Sequence, residues 1–177
     1  MHCISEGHIE QIDNWRIEDK PFYDKTGGYT AALKMIQSKN YMTIIGGPGS
    51  GKTATARHIA LELEDQGWEV VPVCRLDKII EYRDGDHKQV FVLDNVVGIF
   101  AVNMNDYDDY INYGEQIFTT IGKTSKLLFT CRKSVYKEAL ALKLFVTKNV
   151  IDLQSEDNQL TEIEKRQFAN IIVKTKT

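Results

Sequence analysis

Gly46-Gly47-Pro48-Gly49-Ser50-Gly51-Lys52-Thr53 fits the pattern G-x-x-x-x-G-K-[ST], a loop that holds the phosphates of a nucleoside triphosphate. Glycines let successive backbone N–H groups turn inward into an anion-binding nest, and the helix that follows adds the positive end of its dipole. Lys52 supplies a point charge for the β- and γ-phosphates, and the Thr53 hydroxyl is the expected ligand of Mg²⁺. Gly46 to Thr53 together with Ala54 are the residues expected to cradle the nucleotide. The flanks agree with that reading. Tyr41-Met42-Thr43-Ile44-Ile45 reads as a short buried strand before the loop. Thr53 to Gln66 reads as a helix, with Ala56, Ile59, Ala60 and Leu63 at i, i+3, i+4 and i+7 and Gly67 as its stop.

A chain of 177 residues, 42% hydrophobic and 27% charged, supports one domain with a sizeable core. Its net charge of −3 gives no electrostatic reason to expect nucleic acid as a partner. The start, Met1-His2-Cys3-Ile4-Ser5-Glu6, is polar and lacks a signal-peptide pattern. The most apolar window, Val90 to Val102, is broken by Asp94 and Asn95 and is too short to span a bilayer, so no membrane is expected. Cys3, Cys74 and Cys131 are in no metal-ligand spacing and read as reduced thiols of a cytoplasmic protein. His2, Cys3 and His8 read as part of a frayed terminus rather than a metal site.

Apolar strands alternate with amphipathic helices along the chain. That alternation predicts an α/β domain, a three-layer sandwich around a central parallel five-stranded sheet. Residues 1–20 are polar and read as an irregular segment, or a short helix belonging to something upstream, leaving 21–177 as the nucleotide-binding domain. Tyr29, Ala32, Leu33 and Ile36 form a helical stripe ahead of the phosphate loop. Glu69 to Val73, Gln89 to Leu93, Lys126 to Thr130 and Asn149 to Leu153 supply the other strands. Between and after them come a short helix or turn from Leu76 to Tyr82, a turn at Asp84-Gly85-Asp86-His87, and helices over Tyr107 to Ile121, Val135 to Phe145 and Glu162 to Val173. Thr161-x-x-Glu164 opens the last one as a capping box.

Two further strand ends carry chemistry. Val90-Phe91-Val92-Leu93-Asp94 puts a carboxylate at the C-terminal edge of the sheet, where ligands of open α/β sheets bind and where it can hold Mg²⁺ together with Thr53. The next residue is Asn95, whose amide can hold a water but cannot take its proton as a carboxylate can; this predicts slow turnover. Lys126-Leu127-Leu128-Phe129-Thr130-Cys131-Arg132 is an apolar strand ending in arginine. If this strand is inserted between the phosphate-loop strand and the Asp94 strand, Arg132 emerges beside the γ-phosphate and can report its presence. Arg75 also follows a strand, but one expected at the sheet edge, and it reads as a surface ion-pair residue. Lys52, Asp94 and Arg132 are therefore the candidate catalytic residues, with Thr53 and Asp94 as metal ligands.

These three elements, in this order, resemble the STAND NTPases, P-loop signal-transduction ATPases, and the third novel STAND subgroup in particular. The similarity extends to Phe22–Thr26, to Ala54-Thr55-Ala56-Arg57-His58-Ile59-Ala60, to Lys88–Val92, to Thr130-Cys131-Arg132 with Tyr136, and to Leu160-Thr161 with Glu164-Lys165, over roughly residues 20–173. The resemblance implies a switch that holds ADP when closed, exchanges it for ATP, and then opens and self-associates so that attached domains in a multidomain signalling protein meet. It implies a sensor role for Arg132 and places Phe22, Tyr23 and Thr26 near the adenine. Family members continue into a helical segment and a winged-helix domain. This sequence shows neither, so a piece of a longer protein or a stand-alone core is expected.

The alternative is a small-molecule P-loop kinase, which suits the length. It needs an arginine-rich lid to exclude water. The candidates, Arg132-Lys133 and Lys165-Arg166, fall at a strand end and on a terminal helix. A GTPase is disfavoured because Thr147-Lys148-Asn149 is the nearest approach to an Asn-Lys-x-Asp segment.

Overall fold

The computed structural model describes residues 5–19, 26–98, 101–142 and 148–167. In chain order the elements are α1 (Glu6–Asp19), α2 (Gly27–Ser38), β1 (Tyr41–Gly46), α3 (Lys52–Asp65), β2 (Glu69–Val73), α4 (Asp77–Tyr82), β3 (Gln89–Leu93), α5 (Met104–Thr120), β4 (Ser125–Arg132), α6 (Lys133–Ala141) and β5 (Val150–Asp152). The five strands form one sheet in the order β2-β3-β4-β1-β5, and every pairing is parallel.

Successive side chains of a strand point to opposite faces, so a sheet covered on both sides needs continuous apolar strands. In β3, Val90 and Val92 enter one core while Phe91 and Leu93 enter the other. The first core is closed by α1, α2 and α3 through Ile12, Trp15, Ala32, Ile36, Ile59 and Leu63. The second is closed by α4, α5 and α6 through Ile79, Tyr110, Ile117, Val135 and Ala139. The result is the three-layer α/β/α arrangement expected from the alternation of strands and helices.

Several ends follow local chemistry. Thr26 caps α2 by accepting the Tyr29 N–H at 3.2 Å, and Asn103 caps α5 by accepting from Asn105 at 2.9 Å. Thr161 and Glu164 exchange hydrogen bonds as a capping box at the start of a helical stretch, 162–167. Asp84 accepts from Asp86 and pairs with His87, closing the expected turn. Lys126, 8% exposed, reaches across from β4 to the last carbonyls of α2, at 2.6 Å from Ile36 O. A cation there satisfies orphan carbonyls at the negative end of the helix dipole.

Within the stretch 1–20, expected to be irregular or a short helix belonging to something upstream, α1 runs from Glu6 to Asp19 and docks on this same domain, with Ile12 and Trp15 only 4% and 5% exposed. Its sequence hides this because Ile9 and Ile17 face solvent, which blurs the apolar stripe. Arg16 pairs with Glu64, and Arg57 pairs with Glu18 at 3.2 Å while lying over the Trp15 ring, which ties α1 to α3. The expected ends of the last two helices, Phe145 and Val173, lie outside the described residues, as do His2 and Cys3.

Candidate functional site

The phosphate-loop motif leaves the end of β1 and turns into α3. Gly49 and Gly51 adopt φ of 71° and 84°, a left-handed conformation open to glycine and strained for most other residues. Gly46 is needed for space, since a Cβ there would lie 2.4 Å from the Ser50 Oγ. Lys52, the first residue of α3, is 7% exposed, and its Nζ donates to the Gly47 carbonyl at 2.8 Å. Burial, and next the nearby Arg132 guanidinium, push its pKa below the ordinary lysine value. Ser50 Oγ is buried and finds no hydrogen-bond partner among the described residues. An orphaned hydroxyl inside a phosphate-loop motif suits an anion with spare acceptor oxygens.

Asp94 follows β3. Its Oδ1 accepts from the Thr53 hydroxyl at 2.9 Å and from the Thr130 hydroxyl, and its Oδ2 accepts from the Asn95 amide at 3.2 Å. The Asn95 backbone N–H in turn donates to Thr130 Oγ1 at 2.8 Å. The turn that aims Asp94 is strained, with φ of 51° at Asn95 and 64° at Val97. Val97 holds that conformation while its side chain is 2% exposed in the second core.

The sheet order places β4 between β1 and β3, the insertion on which the Arg132 expectation depended. Arg132 is the register partner of Gly46, so it leaves the sheet beside the start of the phosphate loop. Lys52, Thr53, Asp94 and Arg132 thus gather at the carboxyl ends of three adjacent strands. Pro48 and Gly49 are exposed at the tip of the loop, while Ala54 is half-buried in the first turn of α3. Arg75, after the edge strand β2, is paired with Asp77 at 3.2 Å and Asp109 at 3.1 Å as a surface ion pair, and it lines a small cleft that also reaches Asp94 and Asn95. Phe22 and Tyr23 lie outside the described residues, and Thr26 serves as a helix cap.

Further contributors emerge only from the tertiary structure. Thr130 bridges Asp94 and Asn95; its place at a strand end was visible, but its partners were not. Gln154, just past β5, accepts the Gly47 N–H at 2.8 Å through Oε1. Gln11 and Trp15 of α1, with Arg57, wall a cleft of about 140 Å³ that opens onto Thr53, Asp94 and Thr130.

The sequence profile of the family described as Novel STAND NTPase 3 matches residues 23–174. No curated protein matches the chain. Among solved structures, Rif2 in complex with the C-terminal domain of Rap1 aligns over 100% of this chain and 76% of its own, at 8% identity and a TM-score of 0.52, a likeness of fold. The replication initiator DnaA bound to AMPPCP and single-stranded DNA aligns over 84% of this chain at 13% identity and a TM-score of 0.48. A RuvB variant from Thermotoga maritima aligns over 84% at 16% identity and a TM-score of 0.47. The chain spans 58% of that DnaA chain and 49% of that RuvB chain. No helix among the described residues is long and apolar enough to cross a membrane.

Proposed function

The chain belongs to the Novel STAND NTPase 3 family, a family of nucleotide-binding P-loop domains, and from that premise we propose that it is an ATP/ADP-binding signalling switch. It binds nucleotide with Mg²⁺, hydrolyses ATP slowly, and controls self-association, or the meeting of partner domains, in a larger protein. One observation carries the reading: Arg132, at the end of β4, is the register partner of Gly46, so it leaves the sheet beside the loop whose Lys52 is buried. Two cations converging beside a glycine loop suit an anion of high charge, and a third phosphate meets both.

Each residue then has a task. The loop from Gly46 to Gly51, with Ala54 following, cradles the phosphates, and Lys52 neutralises them. Thr53 and Asp94 are the residues that would hold Mg²⁺. The described residues contain no cluster of three or more His, Cys, Asp or Glu that could hold a metal alone. The remaining ligands would be phosphate and water, the usual habit of this ion, which supplies charge neutralisation of the triphosphate. Asn95 lies where a base would have to stand, and its amide is engaged with Asp94. It can orient a water but cannot accept its proton. Binding without rapid turnover is what a switch requires.

A ligand shifts a conformational equilibrium only through its differential affinity for the two states. Arg132 supplies that difference. Arg132→Ala should weaken a non-hydrolysable ATP analogue about ten- to a hundredfold relative to ADP, the size of a charge-assisted contact of roughly 1.5–3 kcal/mol. Matched titrations decide it. Equal losses for the two nucleotides would remove the sensor role, and phosphate transfer to a small acceptor would mark a kinase instead.

A further inference from the structure

Gly47 is held through both of its backbone polar groups, which belong to the two successive peptide units joined at its Cα. Its carbonyl accepts the Lys52 ammonium at 2.8 Å, and its N–H donates to Gln154 Oε1 at 2.8 Å. The second contact joins residues 107 apart in sequence. Glycine leaves room for it, since a Cβ at position 47 would sit 3.1 Å and 3.2 Å from the Gln154 amide atoms and would push them by a few tenths of an ångström.

Gln154 sits on a rigid mount. Its own N–H donates to Asp152 Oδ1 at 2.9 Å, and Asp152 Oδ2 takes the Lys133 ammonium at 2.6 Å. The Asp152 carbonyl accepts from the Ser155 hydroxyl at 3.0 Å and from the Asn158 amide at 3.1 Å. Lys133 is the neighbour of Arg132 and opens α6. A continuous chain of polar contacts therefore runs from Lys52 through Gly47, Gln154 and Asp152 to Lys133, joining the two places from which cations approach the loop. Gln154 itself is exposed, and ordering a long exposed side chain costs rotamer entropy for little gain in stability. The consequence of the contact is geometric.

We propose that Gln154 is a positioning residue of the phosphate site: by holding Gly47 through its N–H it helps set where the Gly47 carbonyl, and with it the Lys52 ammonium, stands, and it ties the phosphate loop to the β4–α6 junction that carries Arg132. The role rests on the nucleotide-binding reading above. It makes the turn after β5 part of the site, although no residue of that turn belongs to the phosphate-loop motif.

The test uses the whole chain, with Gln154→Met, which keeps length but removes the acceptor, and Gln154→Glu, which keeps an acceptor oxygen. In the nucleotide-free protein, hydrogen exchange at the Gly47 amide should accelerate about tenfold or more in Gln154→Met and stay slow in Gln154→Glu. ATP and ADP should both bind about tenfold more weakly to Gln154→Met, since Lys52 faces the β-phosphate common to both. Gln154→Glu should recover most of the affinity once salt screens its charge. If Gln154→Met does not fold, failure of Gln154→Glu to keep Gly47 protected overturns the proposal. A folded Gln154→Met that binds like the wild type overturns it too, while leaving nucleotide binding intact. A wild-type chain that binds neither nucleotide removes the nucleotide reading itself, and this role with it.

Discussion

Asp94 is held by three neighbours, Thr53, Thr130 and Asn95, each of which donates a hydrogen bond to the carboxylate. Its proposed task runs through the metal, so Asp94→Ala should weaken ATP binding with Mg²⁺ present much more than binding in EDTA. Equal weakening in both titrations would assign Asp94 a structural role alone. Cys131 offers a separate test in the core. Its thiol is 0% exposed, and burial pushes its pKa up to about 12 from an ordinary 9.0, with the Lys52 charge opposing only in part. The unfolded chain ionises this thiol at lower pH than the folded one, so folding loses stability as pH rises through that window. The loss should approach 1.4 kcal/mol per pH unit within it, an order-of-magnitude figure. Urea midpoints at pH 8 and at pH 10.5 should show wild type losing more than Cys131→Ala. Alkylation at neutral pH should label the exposed Cys74 and spare Cys131 until the protein unfolds.

Among the elements, α1 is where local pattern and packing disagree. Four apolar side chains are exposed or buried in pairs: Ile12 and Trp15 face the core, Ile9 and Ile17 face water. Trp15→Ala removes a buried indole and its stacking with Arg57, and should destabilise the protein by about 3 kcal/mol or more, read as a fall in the urea midpoint. Ile17→Ala, at 73% exposure, should change little. A Trp15 variant as stable as wild type would return α1 to the detached segment that its polar sequence suggests. The helix also walls the cleft beside Thr53 and Asp94, so its loss should be felt at the site as well as in the core. The strands were more legible than α1. A strand covered on both faces must be largely apolar, and β3, buried along its whole length and apolar from Val90 to Leu93, reads that way directly.

At the scale of the whole molecule, a parallel sheet collects at one edge the ends of strands that are remote in sequence, and the function proposed here depends on that edge. Steady-state ATP hydrolysis by the chain should stay well below about 1 s⁻¹, the lower range of ordinary enzymes, because Asn95 offers no base. Phosphate release at enzyme-like rates would contradict the switch. The sequence by itself determined the parts that are local: the glycine loop, whose φ values follow from its own residues, the strand that delivers Asp94, the strand that ends at Arg132, and the capping box at Thr161. Each is a contiguous pattern in which backbone sterics or a fixed periodicity decides the outcome. The tertiary structure alone decided the pairings. Inserting β4 between β1 and β3 put Arg132 opposite Gly46 and Thr130 against Asp94, an order that no strand encodes in its own residues. It also brought Gln154 to Gly47 and seated α1 on the first core. Those contacts join distant segments, and they exist only because the sheet and its two helical layers close around shared cores.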